Sequence, residues 1–201
     1  MKVQIDKSFP MPGGADVAWA LLRDIEAVAG CMPGAAITER IDDTHYKGTV
    51  AVRLGPANLS FRGEIEVKAL DESARRLQLA AKGTDSTGGS AASMDLTAHI
   101  EPGEGAACAL VGSSAVTMSG KAAAFGARMM GPVSEQVLGQ FAANFAARVK
   151  AAQEARDAAA ASSAAPPAPA PVPPAAPLNG LALVWAIVRD WLRSLFGAKK
   201  A

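Results

Sequence analysis

Between Ala158 and Pro177 the chain holds seven of its thirteen prolines, Pro166, Pro167, Pro169, Pro171, Pro173, Pro174 and Pro177, set among alanine and serine. No packed face can form there, because each proline removes a backbone donor and the intervening residues are too small to build a core. The stretch therefore divides the chain. The reading is a domain over 1–156, a disordered Pro/Ala-rich linker over 157–178 and a terminal segment over 179–201. As an extended polyproline-type spacer the tether reaches on the order of 60 Å, at about 3.1 Å per residue.

The terminal segment has the pattern of an amphipathic helix. On a helical wheel Leu181, Val184, Trp185, Ile187, Val188, Trp191, Leu192, Leu195 and Phe196 fill one half, and Ala182, Ala186, Arg189, Asp190, Arg193 and Ser194 the other, with Leu183 out of place. Such a helix is about 24 Å long, short of a hydrocarbon core of roughly 30 Å. Arg189, Asp190 and Arg193 at mid-membrane would cost roughly 2.5–3.5 kcal/mol each. The expectation is a helix lying in the headgroup plane, with Leu181, Val184, Trp185, Val188, Trp191, Leu192, Leu195 and Phe196 binding the membrane and Lys199 and Lys200 near anionic lipid. The alternative is a helix that packs on the parent domain or on a partner protein.

Residues 1–156 are enough for one domain with a real core. A net charge of +1, with no basic cluster interleaved with aromatics, argues against a nucleic-acid partner. The opening MKVQIDKSF alternates like a strand and lacks the apolar run of a signal peptide, so no export is expected. Cys31 and Cys108, far apart and in no CxxC pattern, suit free thiols in a reducing compartment. The expected location is cytoplasmic, peripherally attached to the inner face of the cell membrane.

Periodicity sets the element order. Val3 and Ile5 begin a strand ending at Pro10–Pro12, followed by short helices over Gly14–Leu22 and Asp24–Ala29 and a tight turn at Pro33–Gly34. Strands are predicted over Tyr46–Leu54, Asn58–Leu70, Arg75–Lys82 and Ala91–Glu101, separated by turn clusters. Along the second of these Leu59, Phe61, Ile65, Val67 and Ala69 face one way and Ser60, Arg62, Glu64, Glu66 and Lys68 the other. A last strand, Ala107–Met118, has an ambiguous register that a bulge would explain. Gly131–Pro132 are expected to break or kink the segment from Lys121, and Val137, Leu138, Phe141, Phe145 and Val149 then form the apolar stripe of a closing helix. This is an α+β arrangement of one long helix against a curved antiparallel sheet.

The inward register is rich in small residues. Gly48, Gly63, Ala69, Ala81, Gly83, Ala92 and Ala98 stand among Val52, Leu54, Leu59, Phe61, Leu79, Met94 and Leu96, and the covering segment adds Met129 and Met130. Two accounts fit: an apolar cavity with adaptable methionine walls, or a strongly curved, tightly packed sheet with glycines at its bends.

Catalytic motifs are missing from the pattern. His45 and His99 are isolated, so no metal site is expected. There is no GxSxG elbow and no phosphate-binding glycine loop. Glu64 and Glu66 beside Arg62 and Lys68 read as a solvated ion-pair ladder, and Asp85, near Gly88–Gly89, as a loop residue without evident partners.

Gly30-Cys31-Met32-Pro33-Gly34-Ala35, Tyr46-Lys47-Gly48, Leu54-Gly55-Pro56, Phe61-Arg62-Gly63, Gly120 and Gly126-Ala127-Arg128 occur in this order. Through them residues 1 to about 150 resemble the G-subunit family of carbon monoxide dehydrogenase, within the START-like, helix-grip superfamily. The resemblance implies an antiparallel sheet wrapped around a long C-terminal helix with an internal apolar cavity. It also implies a non-enzymatic partner of a molybdenum carbon monoxide dehydrogenase-type hydroxylase, concerned with its maturation or membrane recruitment. No covalent cofactor is expected, and the ligand is expected to be a respiratory quinone or another isoprenoid or lipid. Alternatives are an assembly factor for the dehydrogenase metal centre and a cyclase- or hydrolase-like enzyme.

The cavity is expected to be lined by Met32, Leu54, Leu59, Phe61, Gly63, Leu79, Met94, Leu96, Phe125, Met129, Met130, Val133 and Phe141, with Met32, Phe125 and Met129 at a gate; ordinary packing between helix and loop is the other account of that trio. For the tail, deleting residues 179–201, or changing Trp185 and Trp191 together to Glu, is expected to move the protein from the membrane to the soluble fraction without lowering the melting temperature of the folded domain. Sedimentation of the truncated chain with membranes at high salt would contradict the anchor.

Overall fold

The structure, a computed structural model, describes residues 1–54, 57–105 and 107–164; the side chains of 54, 57–58, 125–130 and 162–164 fall outside the description, as does the whole of the amphipathic tail. The elements run β1 (Lys2–Pro12), α1 (Ala15–Leu22), α2 (Ile25–Ala29), β2 (Ala35–Arg40), β3 (His45–Leu54), β4 (Ala57–Asp71), β5 (Arg76–Asp85), β6 (Ser90–Pro102), β7 (Ala107–Gly120) and α3 (Lys121–Ala164). The strands form one antiparallel sheet in the order β1-β7-β6-β5-β4-β3-β2. β2 to β7 are a meander of hairpins. β1 joins it by pairing with β7 from Lys2↔Thr117 to Pro12↔Ala107, so the first strand closes the far edge.

Alternation explains most of the strands, and two bulges explain where it misleads. β4 shifts register between Val67 and Ala69, which turns Ala69 out to solvent instead of inward and leaves Leu70 47 % exposed. β2, which the periodicity does not predict, shifts between Ile37 and Glu39. β7 keeps one register against both neighbours, without the suspected bulge. Its pattern looked ambiguous because two of its inward positions are Gly112 and Ser114.

The core gathers at one end. Met11, Trp19, Leu22, Ile25, Leu77, Ile100, Cys108 and Leu110 are buried around Phe145 and Val149 of α3. Polar clamps seat α3 there: Asn144 Nδ2 donates to the Cys31 carbonyl at 2.9 Å, Arg148 Nη1 to that of Ala27 at 2.9 Å, and the Gly14 N–H donates to Gln153 Oε1 at 3.0 Å. Trp19 Nε1 and Arg23 both donate to Glu72, tying α1 to the β4–β5 turn. Cys31 and Cys108 are free and buried, and burial pushes both thiols up, away from the reactive thiolate.

α3 corrects two boundaries. It passes through Pro132 without breaking. Gly131 has no Cβ to crowd the proline ring, and Pro132 is exposed, so water can take the carbonyl freed one turn earlier. The helix also runs on to Ala164, beyond the expected linker start at 157, because its alanine run is strongly helix-forming.

Asp85 is also more than a loop residue. It is 6 % exposed and accepts from the backbone N–H of Ser60 at 3.3 Å, from that of Thr87 at 3.3 Å and from the Thr87 hydroxyl. Across the same turn Ser90 Oγ accepts from the Ala122 N–H at 3.0 Å and caps α3. The Thr87 hydroxyl foremost, then the backbone N–H groups of Ser60, Thr87 and Ser86, holds the Asp85 carboxyl below its ordinary value against the opposing effect of burial. A lowered folded pKa means that the contribution is complete above the unfolded value of about 3.9 and is lost as pH falls through the folded one. Asp85→Asn should therefore lower the melting temperature at pH 7, and the gap from the parent should narrow below about pH 3.9. Thermal melts across pH check this; a constant gap would contradict it.

Candidate functional site

The inner face of the sheet has a largely buried half and a half-buried one. In the largely buried half the row Phe9–Leu110–Ile100 and the residues Leu77 and Ala98 lie under α1 and the Phe145 end of α3. Farther along the strands the inward row is Val3–Val116–Met94–Ala81–Ile65, and beyond it come Val50, Phe61, Val52 and Leu59. All nine of these are only half-buried, and so are Ile5 and Leu96. The described part of α3 opposite them offers Val133, Ser134, Val137 and Leu138, also half-buried. An apolar surface of this kind is the candidate site for an apolar ligand.

Of the expected lining residues, Leu59, Phe61, Met94 and Leu96 lie on this half-buried half, Met94 and Leu96 also packing against the edge of the core, with Val133 on the facing helix. Leu79, 8 % exposed, belongs to the core, and Phe141 packs against it with its ring 5.8 Å from that of Phe145. Met32 is half-buried in a turn anchored at one end by Cys31 on Asn144 and at the other by Gly34, where a φ of +75° and a Cβ that would stand 2.3 Å from the Ala51 carbonyl oxygen require glycine. The side chains of Leu54, Phe125, Met129 and Met130 lie outside the described residues, and so does the expected gate. From Asn144 to Met129 is about 22 Å along the helix axis.

Gly63 is a correction. It was expected to leave room for a ligand. A Cβ there would stand 2.1 Å from the Lys82 carbonyl oxygen and 2.7 Å from the Gly83 Cα, so two backbones meet where a side chain would go. Gly63 marks a tight approach of β4 and β5, and at this position the tightly packed sheet, not the cavity, accounts for the small residue.

Polar chemistry on the described inner face is sparse. Lys7 pairs with Glu135 of α3, Asp85 is held by its turn, and Ser114 is 8 % exposed. Among the described residues no group of three or more His, Cys, Asp or Glu could hold a metal. His45 bonds Asp42 and His99 bonds Glu101. Glu66 pairs with Lys68 at 2.6 Å and Glu39 with Lys47 at 2.9 Å on the outward face. That face also carries an open groove of about 460 Å³ over Arg62, Lys82, Thr84, Ser93, Thr117 and Ser119, and a second of about 300 Å³ near Gln78 and Thr97. Gly63, Gly83, Ala91, Ala92 and Met118 also line the first, and Leu79, Leu96 and Ala115 the second.

The family model for CoxG, the G-subunit of carbon monoxide dehydrogenase, matches residues 8–150. The chain belongs to that family. No curated protein matches the sequence. Among solved structures it is similar to a conserved protein from Geobacillus kaustophilus, at 19 % identity with a TM-score of 0.66, covering 74 % of this chain and 95 % of that one. A protein from Thermus thermophilus follows at 13 % identity and TM-score 0.53, with 75 % and 99 % covered. The Zhui aromatase/cyclase from a Streptomyces species has 15 % identity and TM-score 0.51, with 80 % and 98 % covered. At such identities the likeness establishes the fold: this CoxG family member has the START-like, helix-grip architecture, a seven-stranded curved sheet with a C-terminal helix. Fold alone leaves the chemistry open.

Because its Cβ has no room, Gly63→Ala should destabilise the domain by about 1–3 kcal/mol, and Gly63→Leu by at least as much. Urea unfolding without ligand checks this; unchanged stability in Gly63→Leu would restore the vacant-wall reading.

Proposed function

We propose that this chain is a non-enzymatic accessory protein of a molybdenum carbon monoxide dehydrogenase-type hydroxylase. It takes an apolar ligand, a respiratory quinone, onto the half-buried part of the inner face of its sheet. Its C-terminal segment holds it to the cytoplasmic side of the membrane, so that it links membrane and soluble dehydrogenase. The observation that carries the reading is the half-buried apolar surface from Val3 to Leu59 opposite α3, in a member of the CoxG family.

The physics supports a carrier. An isoprenoid tail cannot cross water unshielded, since each buried CH₂ is worth about 0.8 kcal/mol. A protein that lends it an apolar wall lowers that barrier. No helix among the described residues is long and apolar enough to cross a membrane, which is compatible with peripheral attachment. An aromatase/cyclase shares the fold, but here the described ionisable groups of the inner face, Lys7, Glu135 and Asp85, are engaged with protein partners, and no acid/base pair among the described residues there stands free for catalysis.

Purified protein lacking residues 179–201, mixed with vesicles containing a long-chain quinone and then separated by flotation, should carry quinone into the vesicle-free fraction. Met94→Asp and Leu96→Asp, which place a charge on the inner face, should each cut the retained quinone at least about tenfold, as a buried unpaired charge demands. Retention unchanged in both variants, or none in the parent, would overturn the reading.

A further inference from the structure

Among the described residues the inner face is largely apolar, with Asp85 and Ser90 taken up by the turn before α3 and one further polar spot on β1 and β7. The alternation that turns Val3, Ile5, Phe9 and Met11 of β1 inward turns Lys7 inward too. Opposite Lys7 on β7 stands Gly112, and two residues along the same face is Ser114. A Cβ built on Gly112 meets nothing within 4 Å, so there is open space beside Lys7. Ser114 is 8 % exposed and its hydroxyl bonds no described residue. No fully enclosed side-chain oxygen or nitrogen lacks a partner among the described residues, so this hydroxyl is not sealed off, and Gly112 with its open space is its neighbour on the same face. Diagonal neighbours across an antiparallel pair are roughly 7–8 Å apart, within reach of a lysine stem.

A sheet position facing a helix is served as well by alanine or valine, so a hydroxyl there that keeps access to open space is available to a ligand's acceptor. We infer that Ser114 and Lys7 form a donor pair that receives a neutral carbonyl oxygen of the ligand in the space over Gly112; the inference rests on the inner face being the ligand site. Lys7 has three donors and Glu135 engages it from α3, so donors remain for a second oxygen. The Glu135 carboxylate already balances the ammonium charge. A carboxylate ligand would set a second anion beside Glu135, whereas a ketone or quinone oxygen adds no charge. The chemistry selects a neutral carbonyl on an apolar body over a fatty acid or a bare hydrocarbon.

The test uses full-length protein and three probes of similar apolar size: a decyl-substituted benzoquinone, dodecylbenzene and dodecanoate, each displacing a fluorescent apolar reporter. Ser114→Ala and Lys7→Met should each weaken quinone binding about tenfold, as loss of one hydrogen bond does, and leave dodecylbenzene within about twofold. Ser114→Ala should not lower the melting temperature of the unliganded protein. Gly112→Val, which fills the gap and keeps both donors, should also weaken the quinone more than the hydrocarbon. Equal losses for both probes, no loss for the quinone, or tighter parental binding of dodecanoate than of quinone would overturn the inference. If the parent binds quinone and hydrocarbon but the variants do not discriminate, only the head-group assignment fails. If the parent binds neither, the inner-face site fails and this assignment with it.

Discussion

One helix faces seven strands. An α-helix with its side chains is about 10–12 Å wide, and seven strands spaced about 4.8 Å apart span about 29 Å. α3 cannot cover the inner face alone, and α1 and α2 add cover only where they fold across the Phe145–Val149 end. Curvature brings the strands toward the helix, and the close approach of β4 and β5 at Gly63 shows how tightly they bend. Even so, the surface from Val3 through Met94 to Leu59 is only half-buried. The half-buried apolar face follows from this mismatch in width.

The division of labour along α3 follows too. Its second half carries the fold: Phe145 and Val149 are fully buried, and Asn144, Arg148 and Gln153 clamp the loops around α1 and α2. Its first half starts from the Ser90 cap beside the Asp85 turn and passes Lys7 at Glu135. The packed core and the proposed ligand face thus occupy separate stretches of one helix. A polar spot of Lys7, Ser114 and Glu135 can then persist on the ligand side without disturbing the packed core.

Much of this was legible from alternation. The strands β1 and β3 to β7, both short helices and the closing helix follow from period-2 and period-3.6 patterns, and the motifs from Gly30 to Arg128 pointed to the right family. What was not legible lay where backbone geometry overrides pattern. Short β2 has no clean alternation because it bulges after Ile37, and Ala69 faces out because β4 bulges after Val67. Gly63 reads as vacancy in a sequence, yet it is filled by the backbone of the next strand. Gly112, a similar letter, does border empty space. Only pairing distances separate the two. Asp85 found its partners in Ser60, one strand away, and in its own turn. The signal for Lys7 was present, a lysine in phase with Ile5 and Phe9, but its meaning required Glu135 from the far end of the domain.

The central claim is that ligand occupies the half-buried part of the inner face and not the outward grooves. Hydrogen–deuterium exchange of the full-length protein, with and without a short-chain quinone, tests it most directly. The account predicts new protection in β3 to β6 around Val50, Phe61, Met94 and Leu96 and in residues 131–139, with the Phe145–Gln153 stretch unchanged. Protection confined to peptides around Thr84, Ser93 and Thr117, without any at residues 131–139, would place the ligand on the outward face and contradict it.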